Sequence, residues 1–266
     1  MKAHQRVIRE QMADHHIVGL FPDSPTTATL HTAVIKQIDF KTAATIILVY
    51  EWIGTMPLPK ACRYLYGIYF DGYLGGVAVY VEPSTRQFNR TFPRQVVQLN
   101  RGACAAWTPP NTASYFLAKT VTALRREGIR CILAYCTPEA GELGIIYQAL
   151  GWHYTGQTTP SRSYYLDSHW ISERTLADKL AWAKHRNSRW MQCFKSLPMR
   201  EMHGKYRYCC ILGSHRQRRE FLTVHPFHSL PYPKRAEQVS RDDTAPQEQG
   251  EGQFLGSALN IAGSTP

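Results

Sequence analysis

RGACAAWTPPNTAS, residues 101–114, is the stretch on which the reading of this chain turns. The β-branched, alternating run RQVVQLNRGACAA (94–106) leads into it, and an amphipathic stretch leads out. Between them stand small residues, Trp107 and the pair Pro109-Pro110, which can continue neither a central strand nor a helix interior. The spacing predicts a strand over 94–106 and a helix capped by Asn111 or Thr112 that runs to about Glu127. Ala113, Phe116, Leu117, Val121 and Leu124 would share one helix face, with Gly128 as the stop. Such a junction turns backbone N–H groups outward at the positive end of a helix dipole, and its small side chains leave room for a phosphate. A plain strand-to-helix turn would look the same, because neither of the two glycine-rich phosphate-loop patterns is present. Arg101 and the isolated Trp107 favour a site.

Working outward, CRYLYGIYF (62–70) and YLGGVAVYV (73–81) are strand-like runs separated by Asp71-Gly72, a strong hairpin signal. From Ala33 to Tyr50 the apolar spacing predicts a helix pair or one broken helix. Beyond the junction, CILAYC (131–136) reads as a strand, GELGIIYQAL (141–150) as a short helix ended by Gly151, and WHYTGQT (152–158) as a further strand. A helix from Ser172, a strand KYRYCCILG (205–213) and a basic turn HRQRRE (215–220) follow. Strands and helices in this order imply an α+β fold whose strand-helix-strand steps are parallel crossovers. The expected organisation is a flexible lead-in over 1–30, a core over 31–159, a basic C-terminal extension packed on the core over 160–235, and a disordered tail over 236–266.

The 266 residues, 44% hydrophobic, suffice for a sizeable core. No apolar run approaches the ~18 residues of a membrane span, and MKAHQRVIREQMADHH has no apolar segment of the kind a secretory signal needs. Seven cysteines without CxxC spacing read as reduced thiols in a cytosol. Charge is uneven. Residues 1–159 hold 15 Lys and Arg against 10 Asp and Glu, residues 160–235 hold 15 against 5, and residues 236–266 hold 1 against 5. A basic block beside a nearly neutral core is the footprint of a polyanion binder, although charged scatter for solubility is the plainer alternative.

The element order and the junction resemble the GNAT acyltransferase fold, in which such a corner cradles the pyrophosphate of an acyl-CoA. Six blocks, YEWIGTMP, GIYFDGYLGGV, LNRGACAAWTPPNTAS, AYCTPEAGELGIIYQALGWHYTG, HGKYRYCCILG and YPKR, together resemble the phage Mom-like DNA-modification proteins over roughly residues 44–235. That resemblance implies a GNAT-like mixed, mostly antiparallel sheet with flanking helices. It also implies a transferase that places a carbamoylmethyl-type group on adenine N6 of double-stranded DNA and so shields phage DNA from restriction. One departure matters: Thr137 stands where the resemblance leads one to expect an aspartate, which would mark a weakened or altered member if that acid is required.

Glu51 and Trp52 would supply a base and a stacking surface, or be an ordinary surface acid beside a partly buried indole. Glu142 would be an acid near the sheet opening and Tyr147 a proton donor to a leaving thiolate, or a helix-dipole partner and a core tyrosine. Donor binding falls to Arg101, Gly102, Ala103, Cys104, Asn111, Thr112 and Ser114, with Cys104 itself read as a buried structural thiol. Lys205, Arg207, Arg216, Arg218, Arg219, Lys234 and Arg235 are the expected phosphate contacts, argued from density rather than from any one of them. The donor would be an acyl-CoA or an aminoacyl-tRNA, and a metal, iron among the options, has no ligand spacing to locate it. Two alternatives stay open: a GNAT N-acyltransferase acting on a small amine or protein, and a non-catalytic nucleic-acid-binding relative.

Overall fold

The sheet grows from the hairpin at Asp71-Gly72, where both residues take left-handed backbone angles (φ 49° and 89°), as a two-residue turn matched to strand twist requires. The structure is a computed structural model describing residues 4–14, 28–83, 86–166, 169–173, 176 and 197–234. Strands β2 (Cys62–Phe70) and β3 (Tyr73–Val81) pair antiparallel across the turn, and β4 (Val96–Cys104) pairs antiparallel with β3. Helix α4 (Thr112–Arg126) then carries the chain back, so that β5 (Cys131–Cys136) lies parallel to β4. Strand β1 (Val34–Gln37) closes one edge beside β2, and β10 (Tyr206–Ile211) inserts between β5 and β6 (His153–Gln157). The order β1-β2-β3-β4-β5-β10-β6, with one parallel pair among otherwise antiparallel neighbours, is the α+β mixed sheet that was expected.

Helices cover both faces of the sheet. On one face Tyr66, Ile68, Tyr80, Val97, Ile132 and Tyr208 pack against Phe116, Leu117 and Leu124 of α4. On the other, Val77, Val79, Val81 and Ala103 pack against Ala43, Ile46, Ile47 and Tyr50 of α2 (Phe40–Tyr50). Farther along that second face Val96, Cys131, Leu133 and Cys209 meet Phe92 and Phe221, the latter from α6 (His215–Val224). Each such buried aliphatic or aromatic side chain contributes about 1.5–3 kcal/mol. Helices α1 (His4–Asp14), α3 (Arg86–Thr91) and α5 (Ile145–Ala149) are also found among the described residues.

The described residues divide into two compact units, one running to Ser161 and resuming at Glu201, the other running from Arg162 to Arg200. Strand β10 and helix α6 therefore belong to the first unit. The second is built on β7 (Ser161–Leu166), β8 (His169–Ser172) and β9 (Met199–Met202) in the order β8-β7-β9. Leu166, Ile171 and Leu176 are buried there, and the Arg200 guanidinium lies 4.4 Å from the Trp170 ring centre.

Three local expectations are corrected. Ala33–Tyr50 is not a helix pair: Val34–Gln37 is an edge strand on β2, and one helix starts only after Asp39, whose carboxylate accepts from the Thr42 N–H at 2.7 Å. Four residues of mixed pattern are settled by the available strand edge rather than by local propensity. HRQRRE is not a turn but the start of α6, capped by Ser214 and Gln217 in a reciprocal capping box. Asn111 does precede α4, but in the left-handed region (φ 63°) and without a side-chain cap bond, while the Thr112 hydroxyl donates to the Pro109 carbonyl at 2.7 Å. The lead-in contains α1; its residues 15–27, most of the helix expected from Ser172, Arg235 and the tail lie outside the described residues.

Candidate active site

A β-bulge builds the site. Pairing of β3 with β4 shifts between Val79–Arg101 and Tyr80–Leu99, leaving Asn100 as an extra residue. Without it, Leu99 and Arg101 would point to the same face; with it, Leu99 packs toward the α4 side and Arg101 turns to the α2 side. There Glu51 ends α2, its backbone already extended (φ −98°, ψ 132°). Arg101 Nε lies 3.8 Å from Glu51 Oε2 and donates to the Thr55 carbonyl at 2.8 Å; its other nitrogens reach Thr55 Oγ1 and the Asn100 carbonyl.

Glu51 is buried, at 9% exposure, and its Oε2 accepts from the N–H groups of Ile53 and Gly54, each at 3.1 Å. Among the described residues no donor reaches Oε1. Burial pushes this carboxyl above the usual range; Arg101 and the two backbone donors pull it down, and Glu142 pushes it up again. Glu142 is tied on both oxygens, with Trp52 Nε1 donating to Oε1 at 2.8 Å and the Thr137 N–H donating to Oε2 at 2.9 Å. One indole thus links the loop after α2 to the loop after β5 and brings Glu142 within electrostatic reach of Glu51. Thr137, where an acid was expected, contributes its backbone N–H to this cluster. Tyr147 of α5 packs its ring 5.0 Å from Trp152 and 5.3 Å from Tyr208, and burial holds its phenol far above the ordinary range.

Of the residues expected to bind the donor, Gly102, Ala103 and Cys104 lie on β4, paired with Ala78, Val77 and Gly76. Burial pushes the Cys104 thiol up to about 12, in keeping with a structural cysteine. Arg101 does not face the 105–114 corner as a free phosphate ligand, because its guanidinium is engaged by Thr55, Asn100 and Glu51. At the corner, the Thr108 and Thr112 amides bond to the Ala105 and Pro109 carbonyls, and Pro109 and Pro110 carry no N–H. The first-turn amides of Ala113 and Ser114 remain at the α4 N-terminus. Trp107 stands edge-on to Phe70, ring centres 5.8 Å apart, and is half-buried against both core faces. Arg9 of α1, which the sequence reading passed over, donates to the Thr108 carbonyl at 2.9 Å. Neither that contact nor the Asn100 bulge has a local sequence signal.

The basic residues do not gather round this cluster. Lys205 is exposed at the Cys136 end of β5, next to Tyr206, which pairs with Cys136. Arg207 is half-buried and donates to Thr155 Oγ1 and the Thr155 carbonyl, a sheet contact rather than a free cation. Arg216, Arg218 and Arg219 are exposed on α6, but α6 follows Ile211, which pairs with Cys131 at the opposite end of β5. The length of β5, about 17 Å, separates that end from the loop bearing Glu142. Lys234 is exposed. Among the described residues no group of three His, Cys, Asp or Glu side chains is arranged to hold a metal ion, iron included. Nor is any described helix long and apolar enough to cross a membrane.

Comparison with solved structures finds an IAA acetyltransferase from Bacillus cereus (14% identity, TM-score 0.39, covering 68% of this chain and 99% of that one). It also finds a Salmonella typhimurium protein solved with its cofactor acetyl-CoA (12%, TM-score 0.42, 69% and 96%). A Bacillus subtilis acetyltransferase in complex with CoA is similar at 12%, TM-score 0.39, 68% and 98%. Comparison with curated proteins gives no match. The model of the Mom protein family matches residues 32–234, a span that takes in the bulge at Asn100 and every member of the cluster around Glu51 and Glu142; the chain belongs to the Mom protein family.

Proposed function

We propose that this chain is a transferase that modifies adenine N6 in double-stranded DNA, with a carbamoylmethyl-type product that blocks restriction. The observation that carries the reading is the Glu51–Trp52–Glu142–Arg101 cluster within a chain of the Mom family. Adenine N6 is paired inside the duplex, so the base must leave the stack to react. Trp52, whose N–H is fixed by Glu142, is the surface on which it stacks. Glu51 is the base: its carboxyl is raised by burial toward the pH at which it works, and Oε1 is open to receive a proton. As N6 forms its bond to the activated carbon of the donor, its proton passes to Glu51 and the donor's leaving group departs with the bonding electrons. Glu142, with both oxygens engaged, positions Trp52 rather than accepting that proton. Tyr147 keeps its phenolic proton at neutral pH, as a donor to the leaving group must.

The donor is an activated small molecule bearing phosphate, an acyl-CoA by fold and an aminoacyl-tRNA by surface charge. The 105–114 corner fits its phosphates through the Ala113 and Ser114 amides at the α4 N-terminus and through Arg9, a smaller donor set than an uninterrupted glycine-rich loop supplies. When bound, the donor supplies the activated carbon. Attack on the acyl carbonyl of either donor gives an N6 amide, so the carbamoylmethyl product, joined through a methylene, further requires a rearrangement of the transferred group or a donor activated at the methylene carbon. Duplex DNA lying along the protein would meet Lys205 near the cluster and α6 about 17 Å away, about five base-pair steps along the strand.

Mass spectrometry of nucleosides from plasmid DNA in cells expressing the protein tests the reading. The expected result is a new adenine species, absent with Glu51→Gln and reduced with Trp52→Phe. An unchanged nucleoside profile with folded protein present refutes it.

A further inference from the structure

The loop after β5 presents one apolar side chain with unusual firmness. Leu143 is buried and Ile146 and Tyr147 pack into the core, yet Ile145 between them is 62% exposed. Its backbone is held from behind. The Tyr208 hydroxyl donates to the Leu143 carbonyl, and Gln148 Nε2 donates to the same carbonyl at 2.7 Å and to Tyr208 Oη at 3.0 Å. Gly144 is in the left-handed region (φ 72°), and a Cβ there would run into the Tyr208 ring. Ile145 therefore stands on a braced turn, three residues from Glu142. The Trp52–Glu142 hydrogen bond ties this loop to the one carrying Ile53, itself 40% exposed. Lone exposed aliphatic residues are common on protein surfaces; what sets Ile145 apart is a braced backbone directly after the Leu143–Gly144 turn, in the same loop as Glu142, whose carboxylate is hydrogen-bonded to Trp52.

We propose that Ile145 is a wedge that enters the duplex at the target step and fills the space the adenine vacates. The inference rests on the adenine-modifying reading of the same site. Apolar side chains inserted between base steps offset the cost of unstacking by replacing base–base contact with aliphatic contact. Lys205, exposed at the same end of the sheet, is placed to hold the flanking phosphates. Ile145 makes no chemical contribution, since it holds the base out while Glu51 and Trp52 act on it.

Permanganate oxidation of plasmid DNA, mapped by sequencing, reads this without any donor, because a thymine opposite an extruded adenine becomes unstacked and reactive. The wild-type protein should raise thymine reactivity at discrete sites. Ile145→Ala should lower that signal about tenfold and Ile145→Leu should retain most of it. Thermal unfolding of Ile145→Ala should match wild type, because the side chain is exposed. An Ile145→Ala signal equal to wild type overturns the wedge and leaves extrusion standing. Absence of any signal with wild type also overturns it, and the cellular nucleoside profile then separates the two failures: modified adenine present spares the proposed function, whereas its absence sinks both.

Discussion

Arg101→Met should destabilise the protein far more in mild alkali than in acid. At the observed 3.8 Å the Arg101–Glu51 attraction amounts to about 4 kcal/mol at an effective dielectric constant near 20. Arg101 keeps 18% of its side chain in solvent, and water screening brings a realistic figure to about 2 kcal/mol. Burial raises the folded-state pKa of Glu51 above the ordinary value of 4.5, so stability is greatest below that value and falls as pH rises through the folded pKa. Removing Arg101 deepens this fall, because the ionised carboxylate is then buried without its cation. At about pH 4 the variant should lose only the hydrogen bonds to Thr55 and Asn100; at about pH 8 it should lose an additional ~2 kcal/mol, or about 4–8 °C in Tm for a domain of this size. Thermal unfolding of wild type, Arg101→Met, Glu51→Gln and the double variant at both pH values forms a closed cycle. The pH-dependent excess should vanish in the Glu51→Gln background. An equal loss at both pH values, or an excess that persists without the carboxylate, would refute the claim that Arg101 holds Glu51 in its ionised form.

Gly144→Ala should cost about 2–4 kcal/mol in urea unfolding, since it combines an unfavourable φ with overlap on a fully buried Tyr208; a loss below about 1 kcal/mol would mean the turn relaxes freely. Replacing Arg216, Arg218 and Arg219 together by Ala should weaken DNA binding uniformly across sequences and reduce the slope of log affinity against log salt by about 2–3, measured by fluorescence anisotropy. An unchanged slope would remove α6 from the DNA-binding surface.

Much of the fold was legible because its signals are local. Asp71-Gly72 can adopt the two positive φ angles of a tight hairpin wherever it occurs, and the 131–136 run becomes the strand it resembles. The capping box that opens α6 was also present, as Ser214 with Gln217 three residues on, but the density of arginines obscured it. Val34–Gln37 was not legible, because four residues of ambiguous pattern become a strand only when the β2 edge is there to pair with.

The candidate site divides in the same way. From the chain alone came the corner, its small residues and the roster of Glu51, Trp52, Arg101, Glu142 and Tyr147, since residue type and spacing indicate which side chains can move a proton, stack or hold charge. Their roles depended on tertiary structure. A single extra residue at Asn100 reverses the direction of the side chains beyond it, and this sends Arg101 to Glu51 on the α2 side of the sheet instead of to the α4 side. Strand direction in β5 and β10 places the basic helix at the far end of the sheet from Glu142, which no count of arginines could reveal. Register and pairing are long-range properties, fixed by which surfaces the whole chain can bury together, and they determined which of the candidate residues meet.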